Sequence, residues 1–136
     1  MKRLLTIIFL ICCVKSFGQT KVRFDKSKQF TIINSKREIT TQSSAPDTFA
    51  CKGWTISQKN ISSIIKNCRL VNGTEWDLTF EVLPCIVTGK LKQGAKTYRF
   101  EINAGSWAYI RNSDTTIILG DFKKSDRKYF LTPPDN

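Results

Sequence analysis

The chain has 136 residues, with 22 lysines and arginines against 11 aspartates and glutamates, for a formal charge of +11. It contains no histidine, which excludes histidine-based general acid–base catalysis, Ser-His or Cys-His nucleophiles and histidine-ligated metal. The length suits one ordinary domain and leaves no room for two.

Lys2 and Arg3 precede an almost unbroken apolar run, Leu4 to Val14. The run is shorter than the ~20 residues that a bilayer core requires. Ser16 and Gly18 then supply small residues at the spacing a signal peptidase needs. The expectation is an export signal over residues 1–18 and one mature domain over residues 19–136, periplasmic or secreted. Losing Lys2, Arg3 and Lys15 reduces the basic count from 22 to 19 against 11 acidic residues, a mature charge of +8. That charge favours phosphorylated lipid, acidic glycan or acidic protein, and it equally suits a plain solvated surface. Cys12 and Cys13 fall in the signal, and Ile11 is not the small residue that lipidation wants before its cysteine. Cys51, Cys68 and Cys85 remain, and an oxidising compartment predicts one disulfide and one spare thiol.

In chain order, Lys21–Phe24 and Phe30–Ile33 alternate as short strands do. Residues 34–53 are polar, are broken by Ser43-Ser44-Ala45-Pro46-Asp47, and read as a long loop. Ser57 can cap a helix whose stripe is Ile61, Ile64, Ile65 and Cys68, predicting a helix over Ser57–Asn67. Asn72-Gly73 reads as a turn. Trp76, Leu78, Phe80 and Val82 alternate with Glu75, Asp77, Thr79 and Glu81, predicting a half-buried strand over residues 75–83 with an acidic outer face. Pro84 kinks or ends it. Ile86–Lys92, a turn at Gln93–Lys96, and Tyr98–Ile102 form a hairpin. Ala104-Gly105-Ser106 is a break. Trp107–Ile110 and Thr115–Leu119 form a second hairpin, and Lys128–Leu131 a last short strand.

The expected fold is α+β, one amphipathic helix packed on a curved antiparallel β-sheet. If the helix runs back along the strand after it, Cys85 comes near the helix start and Cys51. The expected bridge is therefore Cys51–Cys85, with Cys68 a small buried hydrophobe. Cys51–Cys68 stays open, because an extended Lys52–Ile56 would also reach.

The element order resembles the cystatin-like arrangement, one helix wrapped by a meander. The chain carries none of that family's binding motifs, so the resemblance implies a topology and no function. Ser16-Phe17-Gly18-Gln19-Thr20 resembles signal tails of small exported proteins in Bacteroidetes bacteria, and Asp114-Thr115-Thr116 resembles the O-glycosylation motif of that phylum. Asn60-Ile61-Ser62 and Asn72-Gly73-Thr74 match the N-glycosylation pattern, which matters only in a eukaryote.

Carboxylates two apart on a strand stand roughly 6–7 Å from each other. Glu75, Asp77 and Glu81 could thus serve a calcium ion or a glycosidase pair, or simply face water opposite Lys90, Lys92 or Arg99. Basic residues cluster at Lys21, Arg23, Lys26 and Lys28, at Lys90, Lys92, Lys96 and Arg99, and at Lys123, Lys124, Arg127 and Lys128. Trp54 and Trp107, each beside or near a glycine, read as interface anchors or as lids on the core. A cysteine nucleophile is disfavoured, since Cys68 stands at a helix C-terminus.

The expected function is that of an exported, non-enzymatic protein-binding module of the immunity or inhibitor kind. Its binding residues are Trp54, Lys90, Lys92, Lys96, Arg99 and Trp107, and its partner is a protein, acidic by complementarity. No nucleic acid, transmembrane segment, cofactor, catalytic residue or metal site is expected. A second expectation is a lipid- or glycan-binding envelope protein with an apolar cavity lined by Ile61, Ile65, Phe80 and Phe100. A third, an enzyme, would use Glu75, Asp77 or Glu81 in a concave site.

Overall fold

The computed structural model describes residues 23–40 and 49–135. Residues 1–18, where an export signal is expected, Lys21, Val22 and the Ser43–Asp47 stretch lie outside the described residues. The elements in order are β1 (Thr31–Ile39), α1 (Gln58–Asn67), β2 (Arg69–Val71), α2 (Gly73–Thr79), β3 (Cys85–Gln93), β4 (Lys96–Asn103), β5 (Trp107–Arg111) and β6 (Thr116–Gly120). A 3₁₀ turn follows at Lys124–Tyr129. The six strands form one sheet in the order β1-β3-β4-β5-β6-β2, every pair antiparallel. The fold is thus α+β, as the element order predicted, with a second helix, α2, where a single one was expected.

Helix α1 forms where its apolar stripe predicts. Ser57 stands at the N-cap, although its carbonyl and not its hydroxyl serves the first turn, accepting from Asn60 N at 2.9 Å. Ile61, Ile64 and Ile65 are fully buried against the inner sheet face of Val87, Leu91, Phe100, Ile102, Ile110 and Leu119. Each such isoleucine contributes roughly 1.5–3 kcal/mol through burial. Cys68 ends the helix inside this core and is unpaired.

The strand predicted over residues 75–83 is instead the short helix α2 and an extended exit. Asn72 caps it, its side chain accepting from Glu75 N at 2.8 Å. Trp76 and Phe80 are four apart, so one helical turn sends both toward the sheet. Leu78 and Val82 are 75 % and 64 % exposed, where a strand would have buried them. The trio Glu75, Asp77 and Glu81 therefore forms no strand face. Glu75 pairs with Arg69, which also stacks on the Phe122 ring at 3.9 Å.

Three other boundaries differ from expectation. β1 runs on through residues 34–39, part of the stretch expected as loop, because these residues pair with Cys85–Lys90. Arg69–Val71 adds a short edge strand beside β6. The last strand expected at Lys128–Leu131 is displaced by the 3₁₀ turn, whose Trp54 contact (Nε1 to Tyr129 O, 2.9 Å) anchors it to the core.

The Cys51–Cys85 bridge is present, and both sulfurs are buried. The route to it is not the one predicted. Cys85 opens β3 opposite Ile39, the last residue of β1, and the Cys51 carbonyl accepts from Arg37 Nη2 of the same strand at 2.7 Å. No helix among the described residues is long and apolar enough to cross a membrane.

Candidate functional site

Residues paired across antiparallel strands share a face. The register therefore sorts the sheet into an inner face under α1 and an outer one. On the outer face, α2 covers the β5–β6–β2 end with an aromatic cluster. There Trp107 meets Trp76 at 5.2 Å and Tyr109 at 4.8 Å, and Phe80 meets Phe122 at 5.3 Å. The β1–β3–β4 end lies beyond this cover and carries polar side chains.

Two rows cross that open end. One runs Asn34, Lys90, Arg99, Arg111, and the next runs Lys36, Thr88, Glu101, Tyr109. A bulge between Ile32 and Asn34 shapes the start of both. It leaves Ile33 half exposed, and the Asn34 side chain repairs the broken ladder, its Oδ1 accepting from Lys90 N at 3.1 Å. Bulges re-aim neighbouring side chains in this way. Gly89 forms the floor, where a Cβ would come within 2.1 Å of Asn34 O and 2.6 Å of the Phe100 ring.

The result is a recess of about 300 Å³ lined by Asn34, Ser35, Lys36, Thr88, Gly89, Lys90 and Arg99. Its charged residues are all cations. A smaller recess of about 180 Å³ adjoins it, shares Lys36, Thr88 and Arg99, and adds Glu38, Glu101, Tyr109 and Arg111. Lys36 pairs with Glu38. Among the described residues, the side chains of Lys90, Arg99 and Arg111 make no ion pair or hydrogen bond, although Lys90 and Arg111 stand directly opposite Arg99 on either side. Like charges so placed repel and cost stability. Burial raises the Glu101 carboxyl above its usual range, opposed by Arg111, and raises the Tyr109 hydroxyl likewise.

No known family's sequence profile matches this chain, and comparisons with curated proteins and with solved structures also find no match.

Of the residues singled out from sequence, Lys90 and Arg99 meet in the recess. Lys92, opposite Thr97, continues the same face toward the hairpin tip. Lys96 pairs with Gln93 and takes the other parity. Trp54 and Trp107 are 8 % and 3 % exposed and belong to the inner and outer cores. Each indole N–H donates to a carbonyl, Trp54 to Tyr129 O and Trp107 to Glu81 O at 2.8 Å, which satisfies the one polar group a buried tryptophan must place. Both therefore support the scaffold and neither joins the recess.

Sequence reasoning missed Asn34, Lys36, Thr88, Glu101, Tyr109 and Arg111. The signal for Arg111 was there: a short break at 104–106 joins the two strands and sets Arg99 against Arg111. The cavity expected from Ile61, Ile65, Phe80 and Phe100 is not assembled. The first two and Phe100 pack together in the inner core, and Phe80 lies on the opposite side of the sheet. Among the described residues, no group of three or more Cys, Asp and Glu could hold a metal ion.

One polar cluster is buried away from this face. Asp121 and Asp126 are 2 % and 5 % exposed. Asn67 Nδ2 donates to Asp126 Oδ2 at 2.7 Å and Lys123 N to Asp121 Oδ1 at 2.9 Å, whereas Asp121 Oδ2 has no partner. Burial pushes Asp121 up to about 6, with Asp126 contributing. Burial and these two acids push the Cys68 thiol well up, which makes it inert as a nucleophile.

Proposed function

We propose that this chain is an exported, non-enzymatic module that binds a protein and blocks it, as an immunity protein or inhibitor does, through the open outer face of β1, β3 and β4. The observation that carries the reading is the cationic row Lys90–Arg99–Arg111, exposed and without an ion pair among the described residues, with Glu101 the acid whose charge acts on Arg111. A fold selected for stability alone would alternate charges there. An acidic partner surface offsets the repulsion on docking and is steered to it from a distance.

Export is supported by the sequence of residues 1–18 and by the buried Cys51–Cys85 bridge, which suits an oxidising compartment. The lack of histidine and the inert Cys68 support a binding role over catalysis. The cystatin-like likeness rests on helix α1 and the β3–β6 meander, is weakened by β2 and α2 standing between them, and adds nothing to function.

The test is capture of partners from the native cell envelope by the oxidised mature domain, beside a Lys90→Glu/Arg99→Glu variant. A partner bound at micromolar concentration, weakened at least tenfold by the reversal and by added salt, supports the reading. No specific partner, or equal capture by the variant, refutes it. Recovery of the chain from the cell interior with its thiols free refutes export.

A further inference from the structure

The larger recess offers donors almost alone. Lys90 brings an unpaired ammonium group, Lys36 one that already pairs with Glu38, and Arg99 a planar fork. Asn34 has committed its Oδ1 to Lys90 N, which fixes its amide so that Nδ2, a donor, is the group left over. Thr88 adds a hydroxyl. No carboxylate lines this recess; Glu38 and Glu101 stand in the adjoining one.

A ligand for such a set accepts hydrogen bonds and carries negative charge. Lys90 and Arg99 stand directly opposite one another on strands about 4.8 Å apart, which lets both long side chains reach one oxyanion. The guanidinium fork matches the two oxygens of a carboxylate. Glu38 and Glu101 line the adjoining recess, which shares Lys36, Thr88 and Arg99, and their charge favours a monoanion over a phosphate dianion. The volume of about 300 Å³ admits a side chain of a partner and is open at the surface, as a docking contact requires.

We propose that this recess is an oxyanion site that takes an aspartate or glutamate carboxylate of an acidic protein segment, held by Lys90 and Arg99 with Lys36, Asn34 Nδ2 and Thr88 around it. The assignment rests on the docking reading above and narrows it to one chemical group. The site exists at a cost to the free domain, because Lys90, Arg99 and Arg111 repel until the anion arrives.

The test is an amide-resolved NMR titration of the oxidised mature domain at constant ionic strength, with hexaglutamate and with inorganic phosphate as separate probes. Hexaglutamate is expected to shift Asn34, Thr88 and Lys90 amides, and Arg99→Gln to weaken it at least tenfold. The melting temperature of the unliganded Arg99→Gln domain should equal or exceed that of the parent, whereas an arginine with a merely structural role would lower it on removal. No shift at these amides, or the same affinity in Arg99→Gln and Lys90→Gln, overturns the site. Phosphate binding as tightly as hexaglutamate overturns the carboxylate assignment. An envelope partner lost on Lys90→Glu/Arg99→Glu while hexaglutamate fails to bind leaves the docking reading standing and sinks the site. Hexaglutamate bound at the site, with the partner unaffected by the reversal, does the opposite.

Discussion

Replacing Asp121 by asparagine is expected to stabilise the domain at neutral pH, and the reason is a proton. The Asp121 carboxyl moves from 3.8 in the reference state to about 6 in the fold, because burial disfavours its charge and Asp126 lies beside it. Below about pH 4 both folded and unfolded chains hold the proton, so it costs nothing. Between about pH 4 and 6 the unfolded chain releases it and the folded chain retains it, so stability falls as pH rises. Above about 6 both states are ionised and the loss is complete. A shift of this size corresponds to about 3 kcal/mol, and sharing charge with Asp126 reduces the expected loss to about 1–2 kcal/mol. The substituted amide would keep the bond that Oδ1 accepts from Lys123 N, and its Nδ2 could donate toward Asp126. Urea unfolding of parent and Asp121→Asn from pH 4 to 8 measures this directly. The difference between the two curves cancels surface carboxylates such as Glu75, whose own shift runs the other way. The expected gain for the variant grows from near zero at pH 4 to about 1–2 kcal/mol at pH 7.5. A difference that is flat or that favours the parent at pH 7.5 refutes the reasoning.

Two further predictions concern the scaffold. The Cys51→Ser/Cys85→Ser double variant frees a 34-residue separation in the unfolded chain and should lose about 3–4 kcal/mol, read by denaturant midpoint against the oxidised parent, and reduction of the parent should reproduce most of it. Asn72→Ala removes the side-chain cap of α2 and should cost about 1 kcal/mol, with a near-UV circular dichroism change from Trp76 and Trp107; no change in either signal would mean that α2 is not held by its cap.

Features with a local signal were legible in the bare chain. Helix α1 follows from isoleucines at helical spacing, and no other period fits Ile61, Ile64 and Ile65. The hairpins β3–β4 and β5–β6 follow from alternation interrupted by Gln93–Lys96 and by Arg111–Asp114. The Cys51–Cys85 bridge was expected from a helix running back along a strand over residues 75–83, with Cys51–Cys68 left open; the bridge forms, but beside the end of β1 and without that strand. The stretch from Glu75 to Val82 misled because residues four apart satisfy a period of two and a period near four alike. Asn72 with Glu75 three residues on was the capping signature that favoured the helix, and it is weaker than an alternation of eight residues.

The recess was not legible in this way. Lys90 and Arg99 could be named from their hairpin, but Asn34 and Lys36 come from a strand far earlier in the chain, and Arg111 from the strand on the far side. Their meeting depends on which strands are neighbours and in what register, and on a bulge at Ile33 that pairing alone reveals. Trp54 and Trp107 show the same limit from the other direction. Their indole N–H groups are buried because distant carbonyls at Tyr129 and Glu81 receive them. Periodicity records which residues prefer to be hidden; only the folded sheet sets which charges are left facing one another without a partner.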